Sequence, residues 1–193
     1  MPIPGKTEIR AEVLRYRRAT RGRPPETAIE TAGPGEESVW DFPRPPEVQT
    51  VTAPLRVTFA GETVAETTAG LRVIETAGAP VYYFPPGDVR REALRPVPGH
   101  WSLCEWKGVA VYFDIVLAGR LSERAAFAYP DPLDDLGCGF PRIKDHLAFY
   151  ASRVDAAFIG NVRVTPQPGG FYAGWVTPSL RGPIKGVPGS EGW

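Results

Sequence analysis

The sequence predicts a mainly β fold, an antiparallel system of sheets and hairpins in one compact domain with one or two short helices. Three observations carry this. Strand-like runs flank a glycine three times, in RVTFAGETVAE (56–66), FDIVLAGRLSE (113–123) and DAAFIGNVRVT (155–165). Punctuation is dense, with 22 prolines and 21 glycines, yet 42% of residues are hydrophobic, a mixture that suits many short strands joined by tight turns. At 193 residues the chain can bury roughly 70% of its unfolded surface, enough for a core without disulfide or metal staples.

Residues 7–18 have the spacing of a short amphipathic helix. Gly22 to Ser38, rich in Gly, Pro and Glu, reads as linker. Residues 1–37 are therefore expected to be a basic extension dispensable for folding, and 38–193 a single β domain. SVWDFPRPP (38–46) marks the return to ordered chain, its prolines favouring an extended path with Trp40 and Phe42 as anchors. In the three hairpins Gly61, Gly119 and Gly160 stand where positive φ is required. Ala60 and Ile159 suit the first position of a type I′ turn poorly, so a type I turn with a glycine bulge is expected, and one sheet system for all three. LRVIET (71–76) and VYYF (81–84) are further strands. DVRREAL (88–94), with Asp88 at a capping position, and PRIKDHL (141–147) are short helical candidates. From Pro166 onward Gly and Pro are too frequent for regular elements, while Phe171, Tyr172, Trp175 and Trp193 predict that this tail lies against the body.

Formal charge sums to zero, 22 basic against 22 acidic residues, which gives no electrostatic reason to expect a nucleic-acid or membrane partner. Locally, Lys6, Arg10, Arg15, Arg17, Arg18, Arg21 and Arg23 are answered only by Glu8 and Glu12. Such an arm can hold phosphate, but its plainer reading is a solvated extension. Cys104 and Cys138 are too few for a disulfide scaffold. No apolar run reaches the roughly 18 residues of a membrane helix, and the N-terminus lacks the plan of a signal peptide. A cytoplasmic location is expected; the oligomeric state stays open.

Several segments, SVWDFPRPP, RVIETAGAPVYYFPPGDV, CEWKGVAVYFDI, AFAYPDP, LAFYASRVDAAF and PQPGGFYAGWVTP, resemble in order a bacterial and fungal family, domain of unknown function 427, sometimes labelled nucleotidyltransferase-like. The resemblance runs from about residue 38 to the end of the chain. It implies a β-tent-like fold, similar to that of methionine sulfoxide reductase B and of zinc-bearing ligand-binding domains, an analogy that carries no function. Those relatives hold zinc through two Cys-x-x-Cys pairs, and this chain has none.

The chemistry can be narrowed from the residues. Common nucleotidyl transfer needs a Gly-Ser turn followed by two carboxylates one residue apart, to hold magnesium. Gly189-Ser190 is followed only by Glu191, and Asp131, Asp134 and Asp135 lack the spacing. No phosphate-cradling Gly-x-x-x-x-Gly-Lys-Ser/Thr is present. His100 and His146 are isolated, so neither zinc nor another cofactor is expected. Cys104 with His100 could form a nucleophile and base only across a turn at Trp101-Ser102; otherwise Cys104 is a small buried hydrophobe.

Charge inside apolar runs says more. Glu75 shares a strand face with Leu71 and Val73, and Asp114 is the lone charge in VAVYFDIVLAG, on the face of Tyr112. Trp106 and Lys107 precede Gly108, and Lys107 joins the Tyr112 side only if Gly108 forms a bulge or turn. Glu75–Lys107 and Asp114–Arg124 could instead be structural ion pairs. The candidate site is an aromatic-lined pocket with polar groups Glu75, Lys107, Tyr112 and Asp114, and with Tyr83, Cys104, Trp106 and Tyr129 near by. The first reading is a domain binding a small molecule. The alternative is an enzyme using Lys107, Glu75 or Cys104; the third is a protein-interaction module built on the aromatic tail and basic arm.

Overall fold

The structure, a computed structural model, describes residues 2–19 and 21–193. One α-helix, α1 (Lys6–Arg17), precedes the strands β1 (Glu37–Ser38), β2 (Glu47–Thr50), β3 (Leu55–Phe59), β4 (Glu62–Thr67) and β5 (Leu71–Glu75). There follow β6 (Gly78–Phe84), β7 (Leu94–Cys104), β8 (Gly108–Leu117), β9 (Arg120–Ala128) and β10 (Leu147–Phe149). The chain closes with β11 (Ala156–Ile159), β12 (Val162–Arg163), β13 (Thr165–Pro166), β14 (Trp175–Val176) and β15 (Leu180–Arg181).

A seven-stranded antiparallel sheet, ordered β2-β5-β6-β10-β9-β8-β7, carries the molecule, and a four-stranded antiparallel sheet, β12-β11-β3-β4, covers one of its faces. Strand alternation sorts the side chains between two cores. Tyr82, Phe84, Ile115, Ala126, Leu147 and Phe149 point toward Leu55, Val57, Phe59 and Val64 of the smaller sheet. Their neighbours Val73, Tyr83, Ala110, Phe127 and Ala148 point to the opposite face, where Trp106, Tyr129, Phe140, Ile143 and Tyr150 cover them. This second face holds the candidate site.

The mainly β, antiparallel architecture is as expected, with differences in detail. The hairpins belong to two sheets, β3–β4 and β11–β12 to one and β8–β9 to the other. The first two turn through Ala60-Gly61 (φ 53° and 78°) and Ala118-Gly119 (φ 48° and 76°). Positive φ at both central positions is the signature of the type I′ turn whose twist matches paired strands, so strand twist overrides the poor fit of alanine. The third turns through Gly160-Asn161, between the paired Ile159 and Val162, with positive φ at Gly160.

Neither expected short helix forms an α-helical turn. The first becomes 3-10 turns at Pro86–Asp88 and Arg91–Ala93, since β7 starts at Leu94 and the Asp88 carboxylate accepts from Thr67 Oγ1 (2.5 Å) without capping a helix. The second is a 3-10 turn at Phe140–Ile143. The tail, expected to be irregular, contributes three two-residue strands. It is anchored by Trp175, which is buried, stacks on Tyr82 at 5.1 Å and donates Nε1–H to the Phe149 carbonyl (2.9 Å).

The N-terminal arm is docked where a solvated extension was expected. Val13 of α1 is buried. Arg17 donates to the Glu105 carbonyl (2.6 Å), pairs with Asp135 (2.6 Å) and lies over the Trp106 ring. The stretch read as linker runs along the C-terminal segment: Glu30 N–H donates to the Gly182 carbonyl (2.9 Å), Glu36 pairs with Arg181, and β1 adds to β15 in parallel. Arg17 and Arg21, read as solvated, thus find carboxylates and carbonyls of the body, which sequence separation conceals, while Arg15 and Arg23 pair within the arm with Glu12 and Glu26.

Ala118 is exposed and held at φ 48°, a region that costs an L-residue roughly 1–2 kcal/mol and that asparagine tolerates better. Ala118→Asn should raise unfolding stability by about 1 kcal/mol, read as a higher urea midpoint at unchanged slope; a lower midpoint would contradict the type I′ assignment.

Candidate functional site

Between the second face of the large sheet and the C-terminal segment lies a cavity of about 200 Å³. A volume of this size corresponds to about seven water molecules at their share of the liquid. Its floor is made by Val81 and Tyr83 of β6, Cys104 of β7, Ala110 and Tyr112 of β8 and Phe127 of β9. Tyr150, Phe171, Tyr172 and Ala173 enclose it from the other side, and Arg44, Glu75, Glu105, Gln167 and Lys185 bring polar groups to its edge.

Phe127 is the hub of the aromatic wall. Its ring meets those of Tyr83 (6.3 Å), Tyr112 (6.0 Å), Tyr129 (6.0 Å) and Tyr150 (5.5 Å) between centroids, in tilted and edge-on arrangements, the geometries that aromatic quadrupoles favour. The signal for this hub was present in FAYP (127–130), where Phe127 and Tyr129 alternate.

Lys107 is the site's buried charge. It sits in the turn of residues 105–107 between β7 and β8, after which Gly108 adopts φ 88° and pairs with Cys104. A Cβ at Gly108 would lie 3.2 Å from Leu133 Cγ, so both the backbone region and the space call for glycine here. This is the turn that Lys107 needs in order to join the Tyr112 side of the strand. Lys107 is only 7% exposed, and its Nζ stands over the rings of Tyr129 (5.6 Å) and Phe140 (6.0 Å). Burial disfavours its ammonium form. The electrostatic pull of Cys104, Tyr83 and Glu75, with a hydrogen bond to Cys104, outweighs burial and raises the pKa above the ordinary lysine value.

Of the residues singled out in the sequence, Glu75, Tyr83, Cys104, Lys107, Tyr112 and Tyr129 line the cavity, whereas Trp106 and Asp114 do not. Trp106 is a bracket: it is buried and donates Nε1–H to Glu75 Oε1 (3.0 Å). Asp114 accepts from the backbone N–H of Arg124 (2.6 Å) at an irregularity between β8 and β9. It closes a bulge and forms no ion pair with the Arg124 side chain among the described contacts. The carboxylate of Glu75 pairs with Arg44 (3.4 Å), not with Lys107. His100 packs edge-on against Tyr112 at 4.9 Å and is not a cavity residue, which separates it from Cys104 as a base. Sequence reasoning missed Arg44, Ser102, Phe127, Tyr150 and Lys185, which reach the cavity from five separate segments.

Two polar groupings face the space. Ser102 Oγ and Tyr112 Oη are hydrogen-bonded at 2.7 Å, and Tyr150 Oη donates to the Phe171 carbonyl (3.4 Å). Tyr83 is fully buried and its Oη has no hydrogen-bond partner among the described residues; the Nε of Arg44 is likewise buried without one. Among the described residues no group of three His, Cys, Asp or Glu side chains is gathered closely enough to hold a metal ion.

Burial pushes the phenols of Tyr82, Tyr83, Tyr129 and Tyr150 above their ordinary range. These groups bind protons more tightly folded than unfolded, so their contribution to stability is present below pH about 10 and is lost as pH rises through the folded values. A spectrophotometric titration should show part of the seven tyrosines ionising late, in a step that urea moves down to the ordinary phenol range. A single ordinary transition for all seven would contradict this burial.

No helix among the described residues is long and apolar enough to cross a membrane. A comparison with curated proteins gives no match. A family model described as a domain of unknown function, DUF427, matches residues 47–160. That span runs from β2 through β11, contains the cavity floor, Lys107 and Tyr83, and covers more than half of the chain; the protein belongs to this family.

Proposed function

We propose that this chain is a small-molecule-binding domain whose ligand occupies the cavity on the second face of the seven-stranded sheet. The observation that carries this reading is a buried phenol without a partner beside a buried ammonium. Tyr83 Oη is unsatisfied, and both carboxylates that line the cavity are paired with other residues, Glu75 with Arg44 (3.4 Å) and Glu105 with Arg21 (2.8 Å). A buried polar group left unpaired costs roughly 1–3 kcal/mol, and a fold retains such groups when an apolar wall with a few placed polar atoms is needed for recognition.

The enzyme reading draws less support from the same residues. The Lys107 pKa is shifted upward, with the ammonium over the Tyr129 and Phe140 rings, the direction opposite to the one that frees a lysine amine to act as base or nucleophile. Cys104 has no histidine beside it in the cavity. The ammonium serves better as a fixed positive charge.

Ligand-observed NMR with a fragment library tests the proposal. The wild-type chain should bind fragments of about ten non-hydrogen atoms, a size in keeping with the cavity. Ala110→Phe, which fills the cavity from β8, should keep its circular dichroism and lose those ligands. Fragments that bind both proteins equally would place binding elsewhere and contradict the proposal.

A further inference from the structure

We infer that the ligand is a small organic anion, a carboxylate on a flat apolar body, with its charged end seated by Lys107 and Tyr83. This inference rests on reading the cavity as a binding pocket and adds the chemical class of its occupant.

Charge is the first argument. Three cations and two carboxylates line the cavity: Arg44, Lys107 and Lys185 against Glu75 and Glu105. Glu75 is held by Arg44, and Glu105 by Arg21 from outside the cavity. Lys185 donates to the Trp193 carbonyl oxygen (2.6 Å) and lies over the Tyr172 ring. Lys107 stands over two aromatic faces beside the Cys104 sulfur, within electrostatic reach of Tyr83 and of the Glu75 carboxylate that Arg44 holds, and it has no carboxylate at ion-pair distance among the described residues. A buried charge calls for an opposite one. Here the ligand can bring it.

Hydrogen bonding gives the same sign. The two buried side-chain atoms without partners among the described residues, Tyr83 Oη and Arg44 Nε, belong to cavity residues, and both can donate. Together with the ammonium they ask the occupant for acceptor oxygens and offer little to a cation. Size and wall set the remainder of the molecule. A cavity of about 200 Å³ lies below the roughly 300–1,000 Å³ of pockets for drug-sized ligands. Phe127, Tyr112 and Tyr150 present ring faces and edges to whatever extends from the charged end. One unpaired cation matches a monoanion better than a phosphate monoester, which carries nearly two charges at neutral pH.

The test is calorimetric titration of the full chain with benzoate, 4-hydroxybenzoate and cinnamate, each against its primary amide, which has the same shape and no charge. At least one carboxylate should bind, and its amide at least about tenfold more weakly, in line with hydrogen bonds to a charged group. Lys107→Met should remove that preference. Tyr83→Phe deletes only an unsatisfied hydroxyl, so it should keep its melting temperature and weaken the carboxylate about tenfold; it gives an independent reading should Lys107→Met fold poorly. Amides binding as tightly as acids, or a preference unchanged in both variants, would overturn the anion and leave the pocket standing. The anion also falls, with the pocket intact, if all six compounds fail while other fragments bind in a manner cancelled by Ala110→Phe. If no fragment occupies the cavity, both readings fall.

Discussion

A lysine ammonium enclosed by aromatic rings is the constraint around which this structure is arranged. An uncompensated buried charge costs several kcal/mol, and cation–π contact returns about 0.5–2 kcal/mol. The fold therefore fixes Lys107 from several directions. Leu133 N–H donates to its carbonyl (3.2 Å), Gly108 turns the chain back into β8, and Tyr129 and Phe140 cover the ammonium. The turn itself is held by the N-terminal arm, since the Arg17 guanidinium donates to the Glu105 carbonyl and reaches that of Trp106 (3.5 Å). A segment with the composition of a loose extension thus steadies the loop that carries the site's charge.

The opposite wall depends on a similar economy of contacts. Gln167 accepts from Ala79 N–H (3.1 Å) and donates to the Lys185 carbonyl (2.9 Å), tying two stretches of the C-terminal segment to β6. Gly174 passes so close to this bracket that a Cβ there would lie 2.2 Å from Gln167 Oε1 and 2.6 Å from the Ala79 carbonyl. Trp175, next in sequence, crosses into the first core. The cavity is in this sense the gap left between a sheet face dominated by Phe127 and a tail that can approach only where glycine allows.

The fold class was legible because period-two alternation and glycine turns are local signals. The turn type was not: Ala60 and Ala118 accept positive φ because the twist of the flanking strands demands it, a tertiary effect that propensity cannot register. Six of the residues that line the cavity could be read from charged, phenol or thiol groups within or beside apolar runs, Lys107 through the glycine that follows it. Trp106 and Asp114 do not line the cavity: Trp106, expected near by, bonds the cavity residue Glu75 from the turn, and for Asp114 strand alternation gives a face but not the distance along it, its carboxylate being taken by the Arg124 backbone. Arg44, Tyr150 and Lys185 were hidden since nothing local marks a residue that reaches a cavity from a distant loop. The docking of the arm was lost for the same reason, Arg17 and Arg21 pairing with Asp135 and Glu105, 118 and 84 residues away.

The charge and environment of the Lys107 side chain can be observed directly. In a 1H–15N correlation experiment tuned to lysine ammonium groups, an enclosed ammonium exchanges slowly enough to give its own resonance, whereas exposed lysines do not. The account predicts one such resonance at neutral pH, assigned by its loss in Lys107→Met, that shifts on titration with an aromatic carboxylate and stays in place with the matching amide. A Lys107 nitrogen at the chemical shift of a neutral amine, or an ammonium signal that no carboxylate moves, would contradict it.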